Sequence, residues 1–213
     1  MRISIVTSIA NEKDDLREDF CFEGAKFIAY TDQKSPNWIS RPVYSRFTDV
    51  VRNAKIHKAL IHKFADECDV SIWVDGNISF NVPAEQIIDQ LLGDGDMWCM
   101  THPWRKDIYD EALICHVLDN NPESVFRQAE VYRQEGFPGE PETMLYECNV
   151  IIRRHSEKMR RFNEKWWSEI CCHSRRDQLS FPYALYHSPD IDMRTMVGNV
   201  REHPYFKYAG HNW

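Results

Sequence analysis

No stretch of this chain is apolar for long enough to cross a bilayer, which takes roughly 20 consecutive residues. The N-terminus, MRISIVTSIANEKDD, has only a few apolar residues before charge sets in, too few for the apolar region of a secretory signal. Cysteine occurs seven times but never as C-x-x-C. The odd count, the scatter and the missing secretory segment predict reduced thiols and a cytoplasmic location. Cys171-Cys172-His173 does not read as a zinc site, because adjacent cysteines rarely both reach one ion and no second Cys/His pair stands at zinc spacing. Gly/Ser linkers, repeats and low-complexity tracts are also missing, so residues 1–213 are expected to form one domain. Positive charge is in deficit: 26 Lys plus Arg against 33 Asp plus Glu leave a net −7. Such a chain has no global attraction to nucleic acid or anionic lipid, although a local basic groove is compatible with that balance.

What is present is enough apolar and aromatic material for a sizeable core, 43% and 13% of the residues. Short β-rich runs stand at 3–9, 26–30, 70–74, 96–100 and 148–152. Helical patterns lie between them, at 53–65, 84–92, 108–118, 122–135 and 156–170. In the last of these Ser156 is placed to cap, and Met159, Phe162, Trp166 and Ile170 form one stripe. Strands alternating with helices predict an α/β domain with a mostly parallel central sheet flanked by helices. Ligands of such sheets bind beyond the carboxyl ends of the strands.

Three predicted strands end in polar groups: Thr7-Ser8, Thr31-Asp32 and Asp75-Gly76-Asn77. Each alone is an ordinary turn. On one shared rim they would resemble a nucleotide pocket. Asp75 and Asn77, one residue apart at a strand end, can both point at a hard cation such as Mn²⁺ or Mg²⁺, with Gly76 leaving room between them. Arg52, Lys55, Lys58 and His62 recur at helical spacing, a stripe that faces either solvent or phosphate. His102, Arg105, Tyr109 and Glu111 follow the fourth strand and suit recognition of hydroxyls and a charged group. Glu147, Asn149 and the run Arg175-Arg176-Asp177-Gln178 complete the polar candidates.

Taken in order, "NAKIHK", "SIWVDGNI", "HPWRKDIYDEA", "ECNVIIRRH" and "RRDQLSF" resemble a glycosyltransferase-like family, once a domain of unknown function, that includes plant proteins linked to cell-wall mucilage. The resemblance covers roughly residues 25–187 in the family's order. More distantly the chain is similar to glycogenin-type retaining glycosyltransferases of the GT-A (nucleotide-diphospho-sugar transferase) fold. That likeness implies a single GT-A-like domain moving a sugar from a nucleoside diphosphate sugar, a UDP-sugar foremost, to the hydroxyl of a glycan or other acceptor. It implies Mn²⁺ or Mg²⁺ held by Asp75, Asn77 in place of a second Asp, and His211 by position. Asn149 matches an Asn of those relatives near the donor; from the strand ends, helical spacing and charge read above, Thr7, Asp32, Arg52, Lys55, Lys58, His102, Arg105 and Arg176 are the other expected donor contacts. Asp177 would orient the donor sugar, with Gln178 under its anomeric carbon. Retention needs no strong base; inversion would make Glu111 or Glu147 the candidate. Two other classes stay open: a metal-dependent nucleotidyl or phosphoryl transferase, and a catalytically silent glycan- or nucleotide-binding domain.

Overall fold

The computed structural model describes residues 1–118 and 122–211, and of 116–118 and 122 the backbone only. The expected domain of 1–213 thus takes in 119–121 and 212–213, which lie outside the described residues. A seven-stranded sheet runs in the order β3 (Ile39–Arg41), β2 (Lys26–Tyr30), β1 (Ile3–Ser8), β4 (Val70–Val74), β7 (Tyr146–Arg154), β6 (Met97–Thr101), β8 (Met193–Met196). β7 is antiparallel to β4 and β6, and every other pairing is parallel. One strand therefore opposes the rest, and the sheet is mostly parallel as expected. A second, two-stranded sheet pairs β5 (Ile78–Phe80) antiparallel with β9 (Phe206–Tyr208).

Successive residues of β4 face opposite sides of the sheet. Ile72 and Val74 pack with Ile87, Ile88, Leu91 and Leu92. Trp73 joins Phe162 and Trp166 on the other face. The helices are α1 (Val50–Ala59), α2 (Ala84–Ile87), α3 (Ile108–Leu118), α4 (Pro122–Gln134), α5 (Glu157–Cys172) and α6 (Asp177–Tyr186). α5 follows its sequence signal closely. Ser156 accepts from the Met159 amide at 3.3 Å, and all four stripe residues are buried.

Two helices depart from expectation. Instead of running through 53–65, α1 starts at Val50 behind the Asp49 cap, stops at Ala59 and gives way to a 3₁₀ turn, Ile61–Lys63. The cause lies in β7. Fully buried Arg153 donates to the carbonyls of Lys58 (2.7 Å) and Ala59 (3.4 Å), which a continuing helix would use. Within 84–92 only the first turn is α-helical, and Ile88–Leu92 widen to a π-helix.

Candidate active site

β1, β2 and β4 run in one direction, so their polar ends do share a rim. Three cavities adjoin along it, of about 560, 480 and 240 Å³. The largest lies beyond β2 and β3, where Asp32 and Tyr44 line it. It meets the central one at Ile9, Ala10, Asn11 and Val50. The central cavity shares Asp75, Glu147, Arg176, Gln178 and His211 with the smallest. Together they make one continuous trough along the rim.

Asp177 opens α6 at the floor of the central cavity and is buried. Lys55 Nζ lies 2.7 Å from one of its oxygens and Lys58 Nζ 2.6 Å from the other. Burial alone would raise the Asp177 pKa, but the two ammonium groups outweigh it and hold the carboxyl well below the usual range. Lys58 also stands 3.4 Å from Asp75 Oδ1. Burial favours its neutral form, yet Asp177 and then Asp75 keep it charged. Two members of the expected basic stripe thus converge on the site.

The stripe does not hold as a whole. Arg52 donates to the backbone carbonyls of Ile170 and His173, at 3.2 and 2.8 Å, and pairs with Asp49. It fastens α1 to the end of α5 and lines none of the three cavities. His62 turns away with the 3₁₀ segment, to Asn163 at 3.1 Å. Thr7 also departs from expectation. It is buried inside β1, and the next residue, Ser8, is the one that reaches the central cavity.

Gln178 donates through Nε2 to the carbonyls of Tyr146 (3.2 Å) and Glu147 (3.0 Å). With the nitrogen so engaged, Oε1 is left for the junction of the central and small cavities, both of which Gln178 lines. Its two acceptors lie on a bulge. Cys99 of β6 pairs with Ile151 and Thr101 with Tyr146, so three extra residues of β7 loop out, with Cys148 at φ +57°. A left-handed non-glycine costs about 1–3 kcal/mol and persists where its surroundings enforce it. Here the bulge re-aims Glu147 and Asn149 into the small cavity. Asn149 Oδ1 is buried there with no protein partner.

Glu147 accepts from Arg201 at 2.8 Å, and burial raises its pKa above the ordinary glutamate value against that pull. Glu111 is placed differently from the expectation of a base. It is fully buried between Arg105 and Arg176, also takes the Cys115 thiol, and lines none of the three cavities. Its task here is to hold the two arginines whose other faces line the small cavity. His102 lines that cavity as well; burial, then Arg105, lower its pKa to about 4. The neutral ring accepts the Trp104 and Arg105 amides at Nδ1 (3.2 and 3.0 Å), which leaves the proton on Nε2.

Asp75, Asn77 and His211 meet where the main sheet touches the small one. β9 pairs with β5 just after the Asp75-Gly76-Asn77 turn, and Ala209 donates to the Asn77 carbonyl at 2.9 Å. That pairing sets His211 beside Asn77, with Nε2 3.4 Å from Nδ2. His211 Nδ1 lies 2.6 Å from Asp14 Oδ1. A ring that donates Nδ1–H to a carboxylate carries its lone pair on Nε2, the nitrogen that here faces the Asn77 amide. Among the described residues no three His, Cys, Asp or Glu side chains cluster as a metal site, so any cation here depends on the Asn77 amide. The donor set of carboxylate, amide and imidazole, with Asp75 39% exposed to the trough, fits a divalent ion. Gly76 is needed for space: a Cβ there would lie 2.8 Å from Ile9 and 3.1 Å from Asp14 Oδ2.

Several lining residues gave no signal in the sequence. Asp14, Arg201 and Tyr208 are placed at the trough by partners distant in sequence, His211, Glu147 and Ile78 respectively. Trp104 stands 65% exposed at the small cavity, with the Arg201 guanidinium 5.3 Å from its ring and 4.6 Å from that of Tyr208.

Against known proteins, the profile of the TOD1/MUCI70 glycosyltransferase-like domain matches residues 40–203. The chain is 28% identical over 146 residues to a probable hexosyltransferase MUCI70 of Arabidopsis thaliana, covering 63% of this chain and 25% of that protein. It is 27% identical over 171 residues to an alkaline ceramidase TOD1 of the same plant, covering 75% and 37%. It therefore spans well under half the length of either relative. In fold it is similar to a crystal structure of a glycosyltransferase involved in glycosylation of the major capsid of PBCV-1, at a TM-score of 0.52 and 14% identity over 98% of this chain and 93% of that one. The architecture is that of the GT-A glycosyltransferases. With the profile spanning most of its length, the chain belongs to the TOD1/MUCI70 glycosyltransferase-like domain family.

Proposed function

We propose that this protein transfers a sugar from a nucleoside diphosphate sugar, a UDP-sugar foremost, to an acceptor hydroxyl, with Mn²⁺ or Mg²⁺ as its ion. The observation that carries this reading is the Asp177-Gln178 pair. A buried carboxylate charge-balanced by two lysines stands next to an amide whose nitrogen is held by two backbone carbonyls and whose side chain lines two adjoining cavities. The nucleoside would lie towards Asp32, the diphosphate and donor sugar in the central cavity, and the acceptor towards Trp104. Asp75, Asn77 and His211 would hold the ion, which would neutralise the departing diphosphate. Asp177 accepts hydrogen bonds from the donor sugar's hydroxyls, while Lys55 and Lys58 supply positive charge near the phosphates. The Gln178 amide oxygen faces the anomeric carbon, where its dipole supports developing positive charge without itself needing a proton.

Retention of configuration follows most simply, since Glu111 has no access to the trough. One observation favours inversion as the second reading: Glu147 lines both cavities with a raised pKa, as suits a base. The test is incubation with Mn²⁺ and a panel of nucleoside diphospho-sugars and acceptors, with a ceramide arm because one relative is named as a ceramidase. Mass spectrometry should detect free nucleoside diphosphate, and NMR the anomer formed. Release of pyrophosphate, or of fatty acid from ceramide, would overturn the proposal.

A further inference from the structure

The Asp75-Gly76-Asn77 turn has one carboxylate where a manganese site of this kind usually has two, and an amide is a weaker donor than a carboxylate. A second carboxylate nevertheless lies against the turn, from a distant part of the chain. Asp14 is 7% exposed and lines the central cavity. The absence of a side chain at Gly76 lets it approach, and its Oδ1 sits 2.6 Å from His211 Nδ1. The Nε2 side of the same ring meets Asn77. We propose that Asp14 is a positioning residue for the divalent ion: it supplies, through His211, the negative charge that Asn77 does not. Two things follow from the geometry. The carboxylate fixes the His211 tautomer with Nδ1 protonated, so that Nε2 can ligate. It also makes the imidazole a stronger donor, an effect whose loss typically lowers metal affinity by 10–100-fold. Asp75 and Asp14 both line the central cavity, so two carboxylates border it together with His211. The inference rests on the metal reading above and extends it to a residue of the β1–β2 loop.

Asp14→Asn is the informative change, because its amide oxygen can still accept from His211 Nδ1 while the charge is gone. Mn²⁺ binding is read directly, in the presence of UDP, by loss of the electron paramagnetic resonance signal of free Mn²⁺. Wild type, Asp14→Asn, His211→Ala and the double variant are compared, with thermal unfolding as the control for folding. Asp14→Asn should weaken Mn²⁺ at least about tenfold. It should have little further effect in the His211→Ala background, since residues acting through one another are not additive. If Asp14→Asn binds Mn²⁺ as wild type does, Asp14 only ties down the tail and the inference is overturned while the metal reading stands. An equal loss in the His211→Ala background would overturn the action through His211. A wild type that binds no Mn²⁺ would sink the metal reading itself, and this inference with it.

Discussion

At the scale of single residues, the site is held by atoms whose partners are already assigned, which makes substitutions selective. Asp75 accepts from the Trp73 indole at 2.7 Å through Oδ1. As a turn residue it would tolerate Asn, which suits such turns equally well. As a ligand it would not, and Asp75→Asn should weaken metal-dependent affinity for UDP by about tenfold or more, roughly 1.4 kcal/mol. Calorimetry with and without Mn²⁺ separates the two, and unchanged metal-dependent binding would return the stretch to a turn. Gln178→Ala should lower kcat with little change in nucleotide affinity if, as proposed, it serves the reacting carbon and not the phosphates. A matching loss of UDP binding would remove Gln178 from the sugar end. Asp177→Ala is a poorer probe. It would take from buried Lys58 its nearer carboxylate and from half-buried Lys55 its one carboxylate, and removing one partner of a buried pair commonly costs about 3–5 kcal/mol of stability. The pairing of Asp177 with Lys55 and Lys58 was half legible: the spacing of the lysines placed them on one face, but not what that face would meet. Arg52 has the same spacing and goes elsewhere, because a guanidinium can satisfy two backbone carbonyls at the end of α5.

At the scale of elements, what could be read depended on length and on local cause. α5 announces itself through a cap and a stripe within one segment. β5 and β9 are three residues each and pair with one another at separations of 126 residues or more, so no local pattern reveals them. The direction of β7 was equally hidden, since a fully buried strand looks the same read either way. The bulge that aims Glu147 and Asn149 leaves no mark in Tyr146-Glu147-Cys148-Asn149, whose apolar–polar alternation reads as regular strand. The break in α1 comes from Arg153, which also donates to Asn163 Oδ1 at 2.7 Å. Arg153→Met would keep the packing against Trp166 but leave three buried acceptors short of a donor. Each unsatisfied group costs about 1–3 kcal/mol, so unfolding by denaturant should show a loss of at least about 3 kcal/mol. Because Lys58 sits on the turn that Arg153 caps, UDP affinity should fall as well. A variant as stable as wild type would mean that the helix ends there for a reason of its own.

At the scale of the whole molecule, the fold encloses imidazoles as well as apolar side chains, and this gives stability a definite dependence on pH. His57 is stacked on Tyr30 at 3.9 Å, and His155 lies 2.9 Å from Ser71 Oγ. Burial lowers the pKa of His57, His62, His102 and His155 to about 4. In the unfolded chain each would titrate near its ordinary value of about 6.5. Between those limits the unfolded state binds more protons than the folded one, so stability rises with pH there. The contribution is complete above about pH 6.5 and is lost as pH falls towards about 4, before most carboxylates have titrated. Each proton of difference steepens the profile by at most about 1.4 kcal/mol per pH unit. Denaturant unfolding at pH 7.5, 6 and 5 should therefore show a falling free energy, with net uptake of more than one proton on unfolding near pH 5. His57→Phe keeps an aromatic ring against Tyr30 and cannot titrate, so its acid limb should be shallower than that of wild type. A profile flat from pH 7.5 to 5 would contradict neutral, buried imidazoles, and with them the uncharged His102 assigned to the small cavity.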